Sequence, residues 1–424
     1  MSIGIFKKKE ESQAHQESKD PGLLNWLERT KTVIKVTVIA VVLFFSATAV
    51  SIWWFWDAPL TSPISSMTMF SFLAEPHTNN NSKVVYGFLP YWNVEKVTIQ
   101  PELTHLGYFA LAMGSDGSLL TREEDYVEPG YAGLQSDKLL ELTNQIEERD
   151  GSVEIVLTQF NADDIAAFLS SETSQQKMME SLDDVILAYP INGVNIDIEY
   201  AGTYSPQLRD NMSTFIKNVR THLDTRYENI ELSIDMYAGA SNNQSIWDIE
   251  AIAPEVDYII VMAYDFHRRS SPQAGPVAPL FGGKELWDSD INQHLQEFLK
   301  MVPAEKILLG IPFYGYEWQT TNRDPQSHTF PDTGSTAQIG KVKELLTRKD
   351  ELKVEEGWNE QALSPYLSYV EDGDTYVLYY ENSRSISYKL DYVNQLDLGG
   401  VAIWALGYEG DSRELWDVIN RKVN

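Results

Sequence analysis

The stretch INGVNIDIEY, residues 191–200, sets Asn195, Asp197 and Glu199 at every second position, with Val194, Ile196 and Ile198 between them. Side chains of a β-strand alternate between its two faces, so the three polar groups share one face and the three β-branched groups the other. Ionisable groups set side by side are costly to bury unless the site uses them. The stretch therefore reads as a strand with one face in a core and the other in a site.

Working outward, short apolar runs recur along the chain. They are VVYGFLPY (84–91), THLGYFALAM (104–113), VEIVLTQF (153–160), INGVNIDIEY (191–200), IELSIDMYA (230–238), VDYIIVMAYDF (256–266), KILLGIPFYGY (306–316) and GGVAIWALGY (399–408). Segments between them, such as DKLLELTNQIEERDG, SQQKMMESLDDVILAY and SPQLRDNMSTFIKNVRTHLDTR, carry apolar residues at three-to-four spacing and read as helices. Strand–helix alternation through eight strands predicts an α/β fold of the (β/α)8 TIM-barrel type. An open doubly wound sheet is the alternative. It is weakened because no glycine-rich phosphate fingerprint follows the first run.

The connection between the seventh and eighth runs is too long for a loop, at roughly 80 residues. It contains TYVLYYENSRSISYKLDYV, whose alternating Tyr, Val and Ile read as further strands. A small α+β subdomain over 318–395, inserted in a barrel spanning 83–424, accounts for it. Before the barrel, 57–82 holds Pro59, Pro63, Pro76 and the run Asn79–Asn80–Asn81–Ser82, and reads as a linker.

Val36 to Trp56 contains no charged residue. About 20 such residues suffice for a bilayer-spanning helix. Trp53, Trp54 and Trp56 stand at its far end, where an aromatic belt would lie, and Lys7, Lys8, Lys9, Arg29, Lys31 and Lys35 precede it. The expectation is a single-pass cell-membrane protein with a cytoplasmic tail (1–35), a transmembrane helix (36–56) and its catalytic domain outside. A signal peptide cleaved near Ser46–Ala47–Thr48–Ala49 is the alternative.

The net charge of −29 argues against a nucleic-acid partner, which needs a basic surface. With no cysteine, disulfides and thiolate metal sites are excluded, and the redox compartment stays open.

Catalytic groups of such barrels sit at the carboxyl ends of the strands. There the fourth strand offers Asp197 and Glu199, the sixth Met262, Tyr264 and Asp265, and the eighth Trp404. The first contributes Tyr86 and Tyr91–Trp92; Phe109 is an inward aromatic of the second; Asp235, Met236 and Tyr237 end the fifth. Carboxyls above an aromatic floor suit a sugar, whose C–H faces stack on rings while its hydroxyls take hydrogen bonds.

These pieces resemble glycoside hydrolase family 18, the chitinase family. Its fourth-strand motif D-G-x-D-x-D-x-E stands here as Asn192–Gly193–Val194–Asn195–Ile196–Asp197–Ile198–Glu199. Its M-x-Y-D is intact as Met262–Ala263–Tyr264–Asp265, Trp404 matches its late tryptophan, and GIPFYGYEW (310–318) resembles its seventh-strand signature. The form G-V-N-I-D-x-E is similar to a subgroup of cell-wall and spore-cortex N-acetylglucosaminidases.

The resemblance implies hydrolysis of β-linked N-acetylglucosamine polymers, peptidoglycan or chitin-like, assisted by the substrate's own acetamido group, with no metal or other cofactor. Glu199 would be the acid and base, while Asp197 and Tyr264 would hold the acetamido group. Asn195, Tyr86, Phe109, Met262, Asp265, Trp404 and Met236 would contact substrate. A silent, lectin-like barrel is the alternative. Asn192 and Asn195 replace aspartates of the family pattern. Without a like charge at 195, Asp197 is expected to stay anionic and to raise the pKa of Glu199.

Overall fold

The computed structural model describes residues 83–123, 126–241 and 244–423. The expected tail, transmembrane helix and linker lie outside the described residues. Among the described residues no helix is long and apolar enough to cross a membrane.

Eight parallel strands close into a barrel. They are β1 (Val84–Pro90), β2 (His105–Ala112), β3 (Ser152–Gln159), β4 (Gly193–Ile198), β5 (Glu231–Tyr237), β6 (Tyr258–Met262), β7 (Ile307–Pro312) and β8 (Gly400–Trp404). Each pairs with its neighbours in sequence, and β8 closes on β1. This is the (β/α)8 barrel that the strand–helix alternation predicts.

β4 shows how the sequence builds it. Val194, Ile196 and Ile198 are buried in the layer between barrel and helices. Facing them are Met178, Leu182 and Val185 of helix Glu172–Ala188, and Met212, Phe215, Val219 and Leu223 of helix Pro206–Arg226. Those residues recur at three-to-four spacing, one apolar stripe per helix. Each helix starts at a serine whose side chain accepts a backbone N–H, Ser171 from Ser174 and Ser205 from Leu208.

The opposite faces of the strands fill the barrel. Val84, Tyr86, Phe88, Val156, Ile260, Leu308 and Ala402 form an apolar cluster there. Polar residues share this interior: Glu154 of β3, Asn195 of β4 and Ser233 of β5 are fully buried. Gly193 makes room for one of them, since a Cβ at that position would stand 2.5 Å from Glu154 Cγ.

The segment between β7 and β8 carries its own antiparallel sheet. Its strands, in spatial order, are Ser335–Gln338, Tyr314–Thr320, Asp374–Tyr379, Ser364–Glu371 and Glu355–Asn359. Helix Ile339–Thr347 covers it over Val342, Leu345, Leu367, Tyr369 and Leu378. The GIPFYGYEW stretch divides at Phe313: β7 ends at Pro312, and Tyr314 begins a strand of the second sheet. At the other end, helix Ser383–Gln395 packs on the last helix, Glu414–Val423, and on β8, so it belongs to the barrel's shell.

Candidate active site

A cleft of about 440 Å³ opens at the carboxyl ends of the barrel strands. Its carboxyl side is formed by Asp197 from β4, Glu199 just past its end, Asp235 from β5 and Asp265 just past β6. Trp92, Phe109 and Trp404 build an aromatic wall, with Phe109 edge-on to Trp404 at 4.7 Å and to Trp92 at 6.1 Å between ring centroids. Tyr314, Tyr316 and Thr336 from the inserted sheet also line the cleft. The volume suits a few sugar units.

Glu199 follows the last residue of β4. Its Oε2 accepts a 2.7 Å hydrogen bond from the Tyr237 hydroxyl of β5. Burial raises its pKa above the ordinary carboxylate value; the Tyr237 hydrogen bond and the Arg268 charge oppose that rise. The result is an acid that holds its proton longer than a free glutamate.

Asp197 is buried deeper, and its Oδ1 has no hydrogen-bond partner. Burial, then the charges of Asp235 and Glu199, push its pKa well up. The expectation that Asp197 stays anionic assumed no like charge beside it, and the structure sets one there. Asp235 supplies from β5 the like charge that β4 lacks.

Tyr264 also faces the cleft, and burial holds its hydroxyl neutral. Gly310 of β7 leaves room for its ring, since a Cβ there would meet Tyr264 Cε1 at 3.1 Å. Asp265, with φ of 61°, accepts at Oδ1 from the Tyr314 hydroxyl at 2.5 Å and the Tyr316 hydroxyl at 3.0 Å. It ties the inserted sheet to the end of β6. Arg268, in the loop that follows, donates from Nε to the Asp265 carbonyl and adds a cation to the cleft.

Of the residues singled out in the sequence, Glu199, Asp197, Tyr264, Trp92, Phe109, Asp235, Tyr237, Met262, Asp265 and Trp404 meet in this cleft. Asn195 lies one layer below, its Nδ2 donating to Ser233 Oγ and Asp235 Oδ1. Tyr86 lies deeper still, fully buried, with its hydroxyl 3.1 Å from Glu154 Oε2. Neither forms the cleft wall, which corrects their reading as direct substrate contacts. Met236 is on the other face of β5, buried in the layer between barrel and helices. Its neighbours Asp235 and Tyr237 take the inward positions instead. Phe160, Arg268, Tyr314, Tyr316, Thr336 and Tyr408 line the cleft without having been singled out. Phe160, Arg268 and Tyr408 lie beyond strand ends, and Tyr314, Tyr316 and Thr336 belong to the inserted sheet, whose placement at the cleft no single run shows.

The profile of glycosyl hydrolases family 18 matches residues 54–409. The chain belongs to glycosyl hydrolase family 18. Among its relatives, it is 25% identical over 315 residues to a cortical fragment-lytic enzyme of Bacillus anthracis, covering 73% of this chain and 66% of that protein. It is also 25% identical over 291 residues to a class V chitinase of Arabidopsis thaliana, covering 65% of this chain and 74% of that one. The chain thus spans about two thirds of the length of the cortical fragment-lytic enzyme.

Among solved structures, the group IV chitinase of Ostrinia furnacalis superposes with a TM-score of 0.69 at 20% identity, over 80% of this chain and 99% of that one. A spore cortex-lytic enzyme of Bacillus cereus superposes with a TM-score of 0.64 at 20% identity, over 81% and 75%. At that identity the likeness shows a shared barrel fold.

Proposed function

We propose that the protein is a glycosidase that cleaves β-linked N-acetylglucosamine polymers with help from the substrate's acetamido group, and that peptidoglycan is its substrate. One observation carries this reading: Glu199, held by Tyr237, faces the cleft together with Asp197, Tyr264 and the Trp404 ring. The cortical fragment-lytic relatives support the choice of polymer.

In this mechanism Glu199 gives its proton to the glycosidic oxygen as the bond to the anomeric carbon breaks. The acetamido carbonyl oxygen bonds to that carbon. Asp197 accepts the acetamido N–H, Tyr264 donates to the acetamido oxygen, and the ring stacks on Trp404. Water then attacks the anomeric carbon and Glu199 takes its proton, which restores the acetamido group. The site holds the nucleophile and the acid at once, so much of the gain is orientation.

The test is mass spectrometry of products from N-acetylglucosamine oligomers and from purified peptidoglycan, with Glu199→Gln as control. Glutamine keeps the shape but has no proton to give. Cutting by wild type alone supports the hydrolase. Sugar binding without cutting by either protein replaces it with a lectin.

The same proposal places the barrel outside the cell, tethered by residues 36–56. The uncharged run and the lysines before it support this. Recovery of the full chain in the soluble fraction, and not the membrane fraction, after washed cells are lysed would contradict it.

A further inference from the structure

Asn195 breaks the β4 motif, yet the layer above it still holds two carboxyls on neighbouring strands. Asn195 pairs with Ser233 across the β4–β5 ladder, and Ile196 with Ile234. One step further, Asp197 and Asp235 are the next inward residues of the two strands. Each is only 3% exposed. The Asn195 amide donates to Asp235 Oδ1 at 3.0 Å and to Ser233 Oγ at 2.8 Å, so Asp235 is held in place from below. Asp197 has no such holder, and its Oδ1 is unpartnered.

Among the described residues no cation compensates the pair. Facing it are Glu199 from β4, Tyr237 and Ser233 from β5, and Tyr264 from β6. The charges that act on Asp197 are those of Asp235 and Glu199, both negative. Arg268 bears on Glu199 instead. Two buried carboxyls without a cation cannot both stay ionised.

We propose that Asp235 is a positioning residue for the β4 carboxyls: it shares one proton with Asp197, supplying from β5 the partner that an aspartate at position 195 would supply from β4. This rests on the hydrolase reading. At rest the proton is on Asp197 and the charge on Asp235, because the Asn195 N–H favours an anion there. When an acetamido N–H arrives, the proton passes to Asp235 and the charge to Asp197, which then accepts the N–H. The pair keeps one proton and one negative charge throughout, and the transfer reverses after product leaves. Glu199 thus faces a single added charge in both states.

The experiment uses the full chain in three forms: wild type, Asp235→Asn, and the exchange Asn195→Asp with Asp235→Asn, which moves the carboxyl to β4, one layer below Asp197. Infrared spectra of protein carrying 13C-aspartate report any protonated aspartate directly, without turnover. Rates on N-acetylglucosamine oligomers across pH give kcat and KM separately. Wild type keeps a protonated aspartate at a pH where ordinary aspartates are ionised. Asp235→Asn loses it at lower pH, because Asp197 no longer has a like charge beside it, and kcat falls by about tenfold or more while KM changes little. The exchange restores both the protonated aspartate and most of kcat.

An Asp235→Asn protein with an unchanged infrared titration overturns the proposal, and so does an exchange that restores neither signal. Should Asp235→Asn fail to fold, the exchange, which keeps one acid and one amide at the two positions, decides the question. Should wild type cut no glycan, the hydrolase reading fails, while the infrared titration still decides whether the pair shares a proton.

Discussion

The Tyr237 hydroxyl donates to Glu199 Oε2 at 2.7 Å, so the residue best placed to act as acid is restrained by a phenol from the next strand. A hydrogen bond into a carboxyl oxygen favours its ionised form, and here it partly offsets the rise that burial imposes. Removing it with Tyr237→Phe raises the Glu199 pKa further. The basic limb of the kcat/KM profile, where the acid loses its proton, then moves to higher pH. Rates measured across pH check this, and an unmoved or lowered basic limb contradicts it.

Glu154 makes a stability prediction. It is fully buried, accepts from Ser233 Oγ and Tyr86 OH, and burial pushes its pKa well above the usual value of 4.5. Above pH 4.5 the unfolded chain releases this proton while the folded one keeps it, so ν for the unfolded state is the smaller and stability falls as pH rises. The contribution is present in full below the unfolded pKa and is lost as pH climbs toward the folded one. Glu154→Gln keeps the shape without the titration. Its melting temperature will therefore decline less between about pH 5 and neutrality than that of wild type. Parallel curves for the two proteins would reject this account of Glu154.

Lys389, in the helix that leads into β8, and Glu381, just before it, form an ion pair at 2.8 Å with side chains 0% and 1% exposed. Lys389→Ala strands a buried carboxyl and should cost about 3–5 kcal/mol in denaturant unfolding. Replacing both partners, with Lys389→Met and Glu381→Leu, should recover most of that loss. A single variant as stable as wild type would show that the pair is dispensable.

The hydroxyls of Tyr314 and Tyr316 converge on Asp265 Oδ1 and hold the inserted sheet against the cleft. Tyr314→Phe removes a hydrogen bond to a carboxylate, worth about 1.5–3 kcal/mol in unfolding experiments. Because the sheet forms one side of the cleft, KM should rise more than kcat falls. Steady-state kinetics on oligomers of several lengths test this, and a pure kcat loss would contradict it.

Much of this was legible in the residue pattern. The barrel followed from eight apolar runs with helices between, and Asp197 and Glu199 from the alternation of β4. The same alternation, applied to ELSIDMY, would have put Leu232, Ile234 and Met236 outward and Ser233, Asp235 and Tyr237 inward. Choosing Met236 missed that phase. Depth was not legible: Tyr86 and Asn195 face inward as expected, but alternation does not say how far along the barrel axis a side chain lies. Nor did a single apolar run reveal that the chain changes sheets at Phe313, since both halves have strand composition. The partnership of Asp235 with Asp197 needed strand register, which no single segment contains.

The measurement that tests the central claim most directly is proton NMR of the first product formed from an N-acetylglucosamine oligomer, read before the anomers equilibrate. Attack by the acetamido oxygen followed by water inverts the anomeric carbon twice, so the β-anomer is predicted to form first. An α-anomer first would mean a single displacement by water, and would contradict the proposed roles of Asp197, Tyr264 and the acetamido group.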